Sequence, residues 1–280
     1  MLVAALGFAI MGALVKVGAQ KYTSAELVFY RSLFGLVVVW AFIAIKKRPL
    51  ATPVMAMQMS RALVGFASLV LFFYAIEHLP LATAITLNYT SPLFLAIFTP
   101  FLLHEKLQKI LFLALAIGFA GVILLLKPTF TSQQWFAGCL GLLSGIGAAL
   151  AYVHVKQLGK HNEPDWRTVF YFTFISTIGS GIWVFTTHVT TIVWQDLPIL
   201  LGLGFSATIA QLAMTRAYRT GNTFVVASLA YVTVVLASLF GVIFWQETLH
   251  TNELIAIGLI ISSGIISVRS TVKNKPVNKP

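Results

Sequence analysis

Ten long apolar stretches follow one another along this 280-residue chain, separated by short polar breaks. Each is long enough to cross a bilayer as a helix, which takes about 20 predominantly apolar residues. A β-barrel is not indicated, because its strands would form roughly ten-residue segments of alternating polarity. The pattern therefore predicts an all-α integral membrane protein with ten transmembrane helices, at residues 2–19, 25–45, 58–77, 81–103, 108–126, 137–158, 166–187, 197–218, 222–244 and 252–268.

The composition supports this assignment. Hydrophobic residues make up 58% of the chain and charged residues only 10%, whereas soluble domains carry roughly 25% charged residues. The single cysteine, Cys139, excludes an intrachain disulfide framework and any multi-cysteine metal site. Residues 271–280 are polar and rich in proline, and we expect them to form a disordered cytoplasmic tail.

The net charge of +11 is explained by membrane topology. With the N-terminus in the cytoplasm, fifteen basic residues fall in the inner loops and tail, among them Arg61, and only Lys16, Lys21 and Lys127 fall outside. This excess follows the positive-inside rule and predicts that both termini are cytoplasmic. The charges form no basic–aromatic patch of the kind that binds nucleic acid, so no nucleic-acid partner is expected.

The chain repeats itself at a spacing of about 142 residues. This shift aligns Tyr89 with Tyr231 and Glu105 with Glu247, and each glutamate closes the fourth span of a five-span half. The glutamate match carries weight because the chain has only eight acidic residues. Since five is an odd number, the second half must enter the membrane from the opposite side, as in the inverted repeats of secondary transporters. The predicted repeats are residues 1–127 and 128–270.

The order of these features resembles the EamA-type members of the drug/metabolite transporter superfamily. The resemblance is carried by Arg31 in "FYRSLFG", Arg61 in "RALVG", the stretch "FFYAIEHLPLATAITLNYTSPLF", and the paired "LLHEKL" and "FWQETL". It covers essentially the whole chain and implies a secondary carrier of a small metabolite, without ATP hydrolysis, in a bacterial plasma membrane. It favours export over uptake but leaves the substrate open. The implied partners are a small-molecule substrate and membrane lipids, and a homodimer is an open option.

A polar interruption, "LNYTSP" at residues 87–92, lies inside the fourth span. Pro92 has no N–H, so the Asn88 carbonyl loses its helical partner. Polar groups all around a helix cannot be hidden against one neighbour, and each unmet group in lipid costs several kcal/mol. The alternative is a structural kink whose hydroxyls bond back to the preceding turn. The predicted substrate-binding side chains are Thr86, Asn88, Tyr89 and Ser91.

The corresponding stretch of the second half is "LAYVTV", residues 229–234. Tyr231 matches the tyrosine of the first half, but Ala230 and Val234 replace the asparagine and the proline. We therefore expect only the first half to carry a break. We also expect Tyr231 to form a cavity wall shared with the fourth span.

Other polar residues inside spans are weaker candidates. Arg31 lies about a third of the way into the second span, where a charge is expensive. We expect it to bind substrate, to pair with Glu26 or Glu77, or to extend to the interface. Three further residues either line a cavity or form interhelical hydrogen bonds. They are Tyr74, Tyr152 and Gln211.

The acidic residues are informative because none lies at the centre of a span. A buried carboxylate relay for protons is therefore not evident. Gating or structural roles are expected for Pro92, Glu77, Glu105 and Glu247. No HExxH, P-loop or nucleophile-elbow motif is present, so no catalytic residue, metal or cofactor is expected. A channel is disfavoured because no ring of like charges appears. The open alternative to a carrier is a non-transporting membrane scaffold or lipid translocator.

Overall fold

The structure is a computed structural model that describes residues 1–79, 81–105, 108–129, 134–186, 189–246 and 250–273, without the side chains of residues 77, 81, 82 and 271–273. Its long elements are helices. They are α1 (Leu2–Gly18), α2 (Ser24–Ile45), α3 (Met55–His78), α4 (Leu81–Asn88), α5 (Ser91–Phe98), α6 (Lys109–Leu126), α7 (Trp135–Lys160), α8 (Asp165–Phe185), α9 (Leu197–Thr220), α10 (Thr223–Ala230), α11 (Val232–Trp245) and α12 (Thr251–Lys273).

These helices confirm the predicted all-helical membrane fold. Among the described residues, nine helical spans are long and apolar enough to cross a bilayer, and α1 is a shorter apolar helix. Two of the nine combine a pair of helices each, α4 with α5 and α10 with α11. Helix α12 continues to Lys273, three residues into the segment that we expect to form the tail. Residues 274–280 lie outside the described part of the chain.

Local sequence explains where several helices begin. Thr23 starts α2 with a capping box, in which its hydroxyl accepts from the Glu26 N–H at 3.3 Å and Glu26 accepts from the Thr23 N–H at 2.8 Å. Asn222 caps α10 by accepting from the N–H groups of Phe224 and Val225. Both caps satisfy backbone donors that would otherwise be unpaired at a helix start.

The helices pack in pairs that join the first half of the chain to the second. The main contacts are α1 with α9, α2 with α8, α3 with α7, and α6 with α12. Glycines allow the close approaches. A Cβ at Gly121 of α6 would lie 2.9 Å from the Ala256 carbonyl of α12, and one at Gly147 of α7 would lie 2.9 Å from the Ser68 Cβ of α3.

The outer surface of the bundle is apolar. Phe101, Phe185 and Trp194 are 74%, 88% and 86% exposed, and many other large aliphatic and aromatic side chains also face outward. A water-soluble surface would not carry so many exposed apolar side chains, whereas lipid solvates them. We call the end formed by the loops after α2, α7 and α9 the basic end, and the other the opposite end.

Both halves break their fourth span, which corrects the expectation that only the first half does. In the first half α4 ends at Asn88, and the Thr90 N–H donates to the Leu87 carbonyl at 3.2 Å, three residues back. In the second half α10 ends at Ala230, and the Tyr231 N–H donates to the Ser228 carbonyl at 3.3 Å. The second break has no proline, and the residue at it, Tyr231, is completely buried.

The two halves also repeat a backbone conformation at the ends of these spans. His104 and Gln246, which are 142 residues apart, both adopt left-handed conformations with φ of 56° and 55°. Such conformations are uncommon for residues other than glycine. Glu105 follows His104 directly and accepts a hydrogen bond from Thr223 at 3.1 Å, so it ties α10 to the basic end. Glu247 lies outside the described residues.

Candidate functional site

The two broken spans meet through their tyrosines. The rings of Tyr89 and Tyr231 lie 6.3 Å apart between centroids and are tilted by 34°. Phe119 of α6 lies 6.5 Å from Tyr231 on another side. A Cβ at Gly118 would lie 2.7 Å from the Tyr231 ring, so this glycine makes room for the buried tyrosine. The structure thus brings together the shared tyrosines that the sequence repeat singles out.

The first break is held against α7. The Asn88 side-chain amide donates to the Ser144 hydroxyl at 3.1 Å. A Cβ at Gly145 would lie 2.7 Å from the Leu87 carbonyl, so the glycine lets the broken turn approach the α7 backbone. The Thr90 hydroxyl donates to the Leu87 carbonyl at 2.5 Å. Such a bond to the preceding turn is what a purely structural kink would show.

The other predicted residues of this stretch are close to the break. Thr86 of α4 and Ser91 at the start of α5 are both buried. Pro92 occupies the first turn of α5, where its missing N–H costs no helical hydrogen bond. The proline therefore starts α5 as well as interrupting the span.

Arg61 lies in the interior and not in an inner loop, which corrects its place in the charge count. The apolar run begins at Met55, so Arg61 falls in the second turn of α3 and is only 2% exposed. Its guanidinium carbon lies 4.5 Å from the centre of the Phe172 ring on α8, a cation–π contact. A Cβ at Gly65 would lie 2.4 Å from Arg61 Nη1 and 3.2 Å from the Phe172 ring, so Gly65 leaves room for the arginine in its present position.

A stacked tyrosine pair connects Arg61 to the broken spans. Tyr152 of α7 and Tyr218 of α9 lie 4.5 Å apart with an angle of 11° between their rings. Tyr152 is the ionisable neighbour of Arg61, and Tyr218 lies within electrostatic reach of Tyr89 and Tyr231. Side chains from both halves therefore lie near one another along a path between Arg61 and the two breaks.

A small cavity lies beside this path. Its volume is about 10 Å³, roughly the room of one water molecule. Its walls include Arg31, Phe172 and Gln211. Arg31 also donates to the Met11 sulfur at 3.4 Å. The predicted pairing of Arg31 with Glu26 is wrong, because Glu26 is instead hydrogen-bonded by threonines at the opposite end.

We refer to the interior polar path as the central seam. It consists of Arg61, Tyr89, Tyr152, Gln211, Tyr218 and Tyr231. Tyr74 does not belong to it, because it stacks on His78 at 4.0 Å, at the end of α3. The side chain of Glu77 is not described. Within the described residues, no group of three or more His, Cys, Asp or Glu side chains is arranged to hold a metal ion.

A buried carboxylate ties several elements together at the basic end. Glu163 is 3% exposed and accepts from Thr52 at 2.5 Å, from Gln58 at 3.0 Å and from Arg167 at 2.9 Å. Arg219 of α9 donates to the Glu163 carbonyl at 2.8 Å. Burial raises the pKa of Glu163, but these hydrogen bonds and the Arg167 charge outweigh it and lower the pKa below its ordinary value. We call this group the Glu163 network.

A second buried carboxylate does the same at the opposite end. Glu26 is completely buried and accepts from Thr23 and from the N–H and hydroxyl of Thr190, at 2.6 and 3.1 Å. Lys21 forms an ion pair with Asp196 at 2.5 Å beside it. These contacts join the loop between α1 and α2 to the segment before α9, and we call them the Glu26 network.

Sequence reasoning missed Tyr218 and both networks. Gln211 and Tyr218 are seven residues apart on α9, a spacing that places both on one helix face, so this spacing would have pointed to Tyr218. Glu163 and Arg167 have the i,i+4 spacing of a helical ion pair. Nothing local to the sequence indicates that Thr52 and Gln58, more than a hundred residues earlier, are their partners.

The nine long apolar helical spans among the described residues and the apolar outer surface of the bundle define a multi-pass membrane protein. The chain belongs to the EamA-like transporter family, whose model matches residues 1–127 and 135–269. It is 29% identical over 270 residues to the pseudopaline exporter CntI of Pseudomonas aeruginosa, covering 96% of this chain and 94% of that protein. It is 28% identical to an uncharacterized transporter of Helicobacter pylori, covering 95% and 92% of the two chains.

The fold is also found in a solved structure. A crystal structure matches this chain with a TM-score of 0.83 at 19% identity, covering 96% of this chain and 98% of the other. The family and the relatives point to a transporter and not to an enzyme.

Proposed function

We propose that this protein is a secondary transporter that exports a small organic metabolite, such as an amino acid or a related solute, by alternating access. The observation that carries the proposal is the meeting of the two broken spans at Tyr89 and Tyr231, inside a bundle that also buries polar side chains such as Gln211 and Arg61. Broken helices that face each other near the middle of the bundle are the usual substrate sites of transporters built from repeats. Export agrees with the similarity to the pseudopaline exporter of Pseudomonas aeruginosa.

Alternating access requires that the two ends open in turn. The Glu163 network closes the basic end, and the Glu26 network closes the opposite end. The pairs of packed helices support two inverted repeats, 1–127 and 128–270. In order along each half, α1 corresponds to α7, α2 to α8, α3 to α9 and α6 to α12. The α1–α9 pair therefore corresponds to the α7–α3 pair, and α2–α8 and α6–α12 each join a helix to its own counterpart, as a two-fold relation requires. In our proposal the halves move against each other about the central seam.

The proposed location is a bacterial inner membrane with both termini in the cytoplasm. The basic end then faces the cytoplasm, which agrees with the excess of lysine and arginine in its loops even without Arg61. The substrate enters from this side and leaves at the opposite end.

The test compares the metabolites in spent medium and in cells with and without the gene, followed by transport of the enriched solutes in liposomes. We expect the wild type to move at least one small solute. Asn88→Leu should abolish this movement without reducing expression, because it removes a polar contact of the first break. Asn252→Leu, at an exposed position of α12, is the matched control and should transport normally. Wild-type transport by Asn88→Leu would contradict the site, and an inactive wild type would favour a scaffold or lipid translocator.

A further inference from the structure

Several buried polar groups of the central seam have no hydrogen-bond partner among the residues that the structure describes. The Nε and Nη1 atoms of Arg61, the Nε2 atom of Gln211 and the hydroxyls of Tyr218 and Tyr231 are all unpartnered and buried. Thr215, which lies one turn from Gln211 and one turn from Tyr218 on α9, has an unpartnered hydroxyl too. Unpaired buried polar groups are rare in folded proteins and costly in a membrane interior, so such a cluster needs an explanation.

The unpartnered groups share one chemical property, because every one of them is able to donate a hydrogen bond. The Arg61 nitrogens and the Gln211 Nε2 atom are exclusively donors, and the tyrosine and threonine hydroxyls donate readily. The missing partner must therefore supply acceptors. A group that supplied further donors would leave the cluster unsatisfied.

The charge of the missing partner follows from Arg61. Its ionisable neighbour among the described residues is Tyr152, and no described carboxylate forms an ion pair with it. An isolated buried cation is expensive, and a bound anion removes that cost. One guanidinium matches one carboxylate in both charge and geometry, because the planar fork of arginine pairs with the two carboxylate oxygens. A phosphate monoester carries close to two charges at neutral pH, which a single arginine leaves uncompensated.

We infer that the central seam is an anion site in which Arg61 binds the carboxylate of the substrate, assisted by the hydroxyl of Tyr218. This inference rests on the proposed transport function and names the substrate class, a small carboxylate. The stacked rings of Tyr152 and Tyr218 provide an apolar wall for the rest of the molecule. The small volume of the adjacent cavity means that the seam must open before the substrate binds.

The inference is tested with purified protein in liposomes and a metabolite extract of the host cells as the probe. We expect every solute that the wild type moves above empty liposomes to carry a carboxylate. Arg61→Gln should reduce that movement by about tenfold or more, the range of a lost charge-assisted hydrogen bond. Arg61→Lys should retain part of it, because the charge remains without the planar fork. Tyr218→Phe should reduce it several-fold with no change of charge, and Lys109→Gln, at an exposed position of the basic end, should leave it unchanged.

The possible outcomes separate the two proposals. If the wild type moves solutes that lack a carboxylate, whether neutral, cationic or only phosphorylated, transport stands and the carboxylate site is wrong. If folded Arg61→Gln moves carboxylates at the wild-type rate, the site is also wrong. If the wild type moves no solute at all, the transport function itself is contradicted, and the inference falls with it.

Discussion

Glu163 at the basic end and Arg61 in the central seam are both almost completely buried, at 3% and 2% exposure, but their surroundings differ. Glu163 accepts hydrogen bonds from Thr52, Gln58 and Arg167. Arg61 has a cation–π contact, while its Nε and Nη1 atoms lack partners among the described residues. A fully paired buried charge holds elements together, whereas an unpaired one weakens the fold unless a ligand completes it. The comparison therefore distinguishes a carboxylate that is paired with charged and polar side chains from a buried cation for which we propose a ligand.

The largest expected effect is the loss of the Glu163 network. Glu163→Ala should lower the free energy of unfolding by about 3–5 kcal/mol, because it leaves the partly buried Arg167 and the buried Gln58 without the carboxylate that pairs with them. The measurement is the unfolding of the purified protein by SDS, followed by circular dichroism. Glu253→Ala is the matched control, since it removes the carboxylate of a more exposed ion pair with Lys127 and should change stability little. Equal stability of Glu163→Ala and the wild type would show that the network does not hold the basic end.

The substitution Arg61→Gln should have the opposite sign and a smaller size. Replacing the unpaired charge by a neutral side chain should raise the free energy of unfolding of the substrate-free protein by about 1–3 kcal/mol. The same SDS titration measures it, with Arg61→Lys as the control that keeps the charge and should show no such gain. A marked destabilisation by Arg61→Gln would instead assign Arg61 to the structural class of Glu163.

The smallest expected effect is the pH dependence of the stability that Glu163 contributes. Its pKa is lower in the folded protein than in the unfolded chain, so its contribution is complete above the unfolded pKa and is lost as the pH falls through the folded pKa. The difference in Tm between the wild type and Glu163→Gln should therefore shrink on acidification from neutral pH. Protonation keeps the side chain in place, so the loss should be smaller than that of Glu163→Ala. A difference in Tm that stays constant or grows in acid would contradict the assignment.

The two broken spans show which helix breaks can be predicted from the local sequence and which cannot. "LNYTSP" predicts the first break, because proline removes a helical hydrogen bond and the polar side chains resist burial in lipid. "LAYVTV" contains neither signal, but the span breaks at Tyr231 as well. The second break accompanies the burial of a large ring against Gly118, a residue of another helix. A contact of this kind leaves no mark on the local sequence.

The sequence by itself determined the all-helical membrane fold, the approximate positions of its apolar helices and the resemblance to the family. It did so because hydropathy and spacing are local properties that a bilayer converts directly into helices. Only the tertiary structure decided that Arg61 is a buried cation with no ion pair among the described residues, that Tyr218 stacks on Tyr152, and that Glu163 accepts hydrogen bonds from distant parts of the chain. These roles depend on partners from helices far apart in the chain, and packing alone determines whether a buried charge finds them.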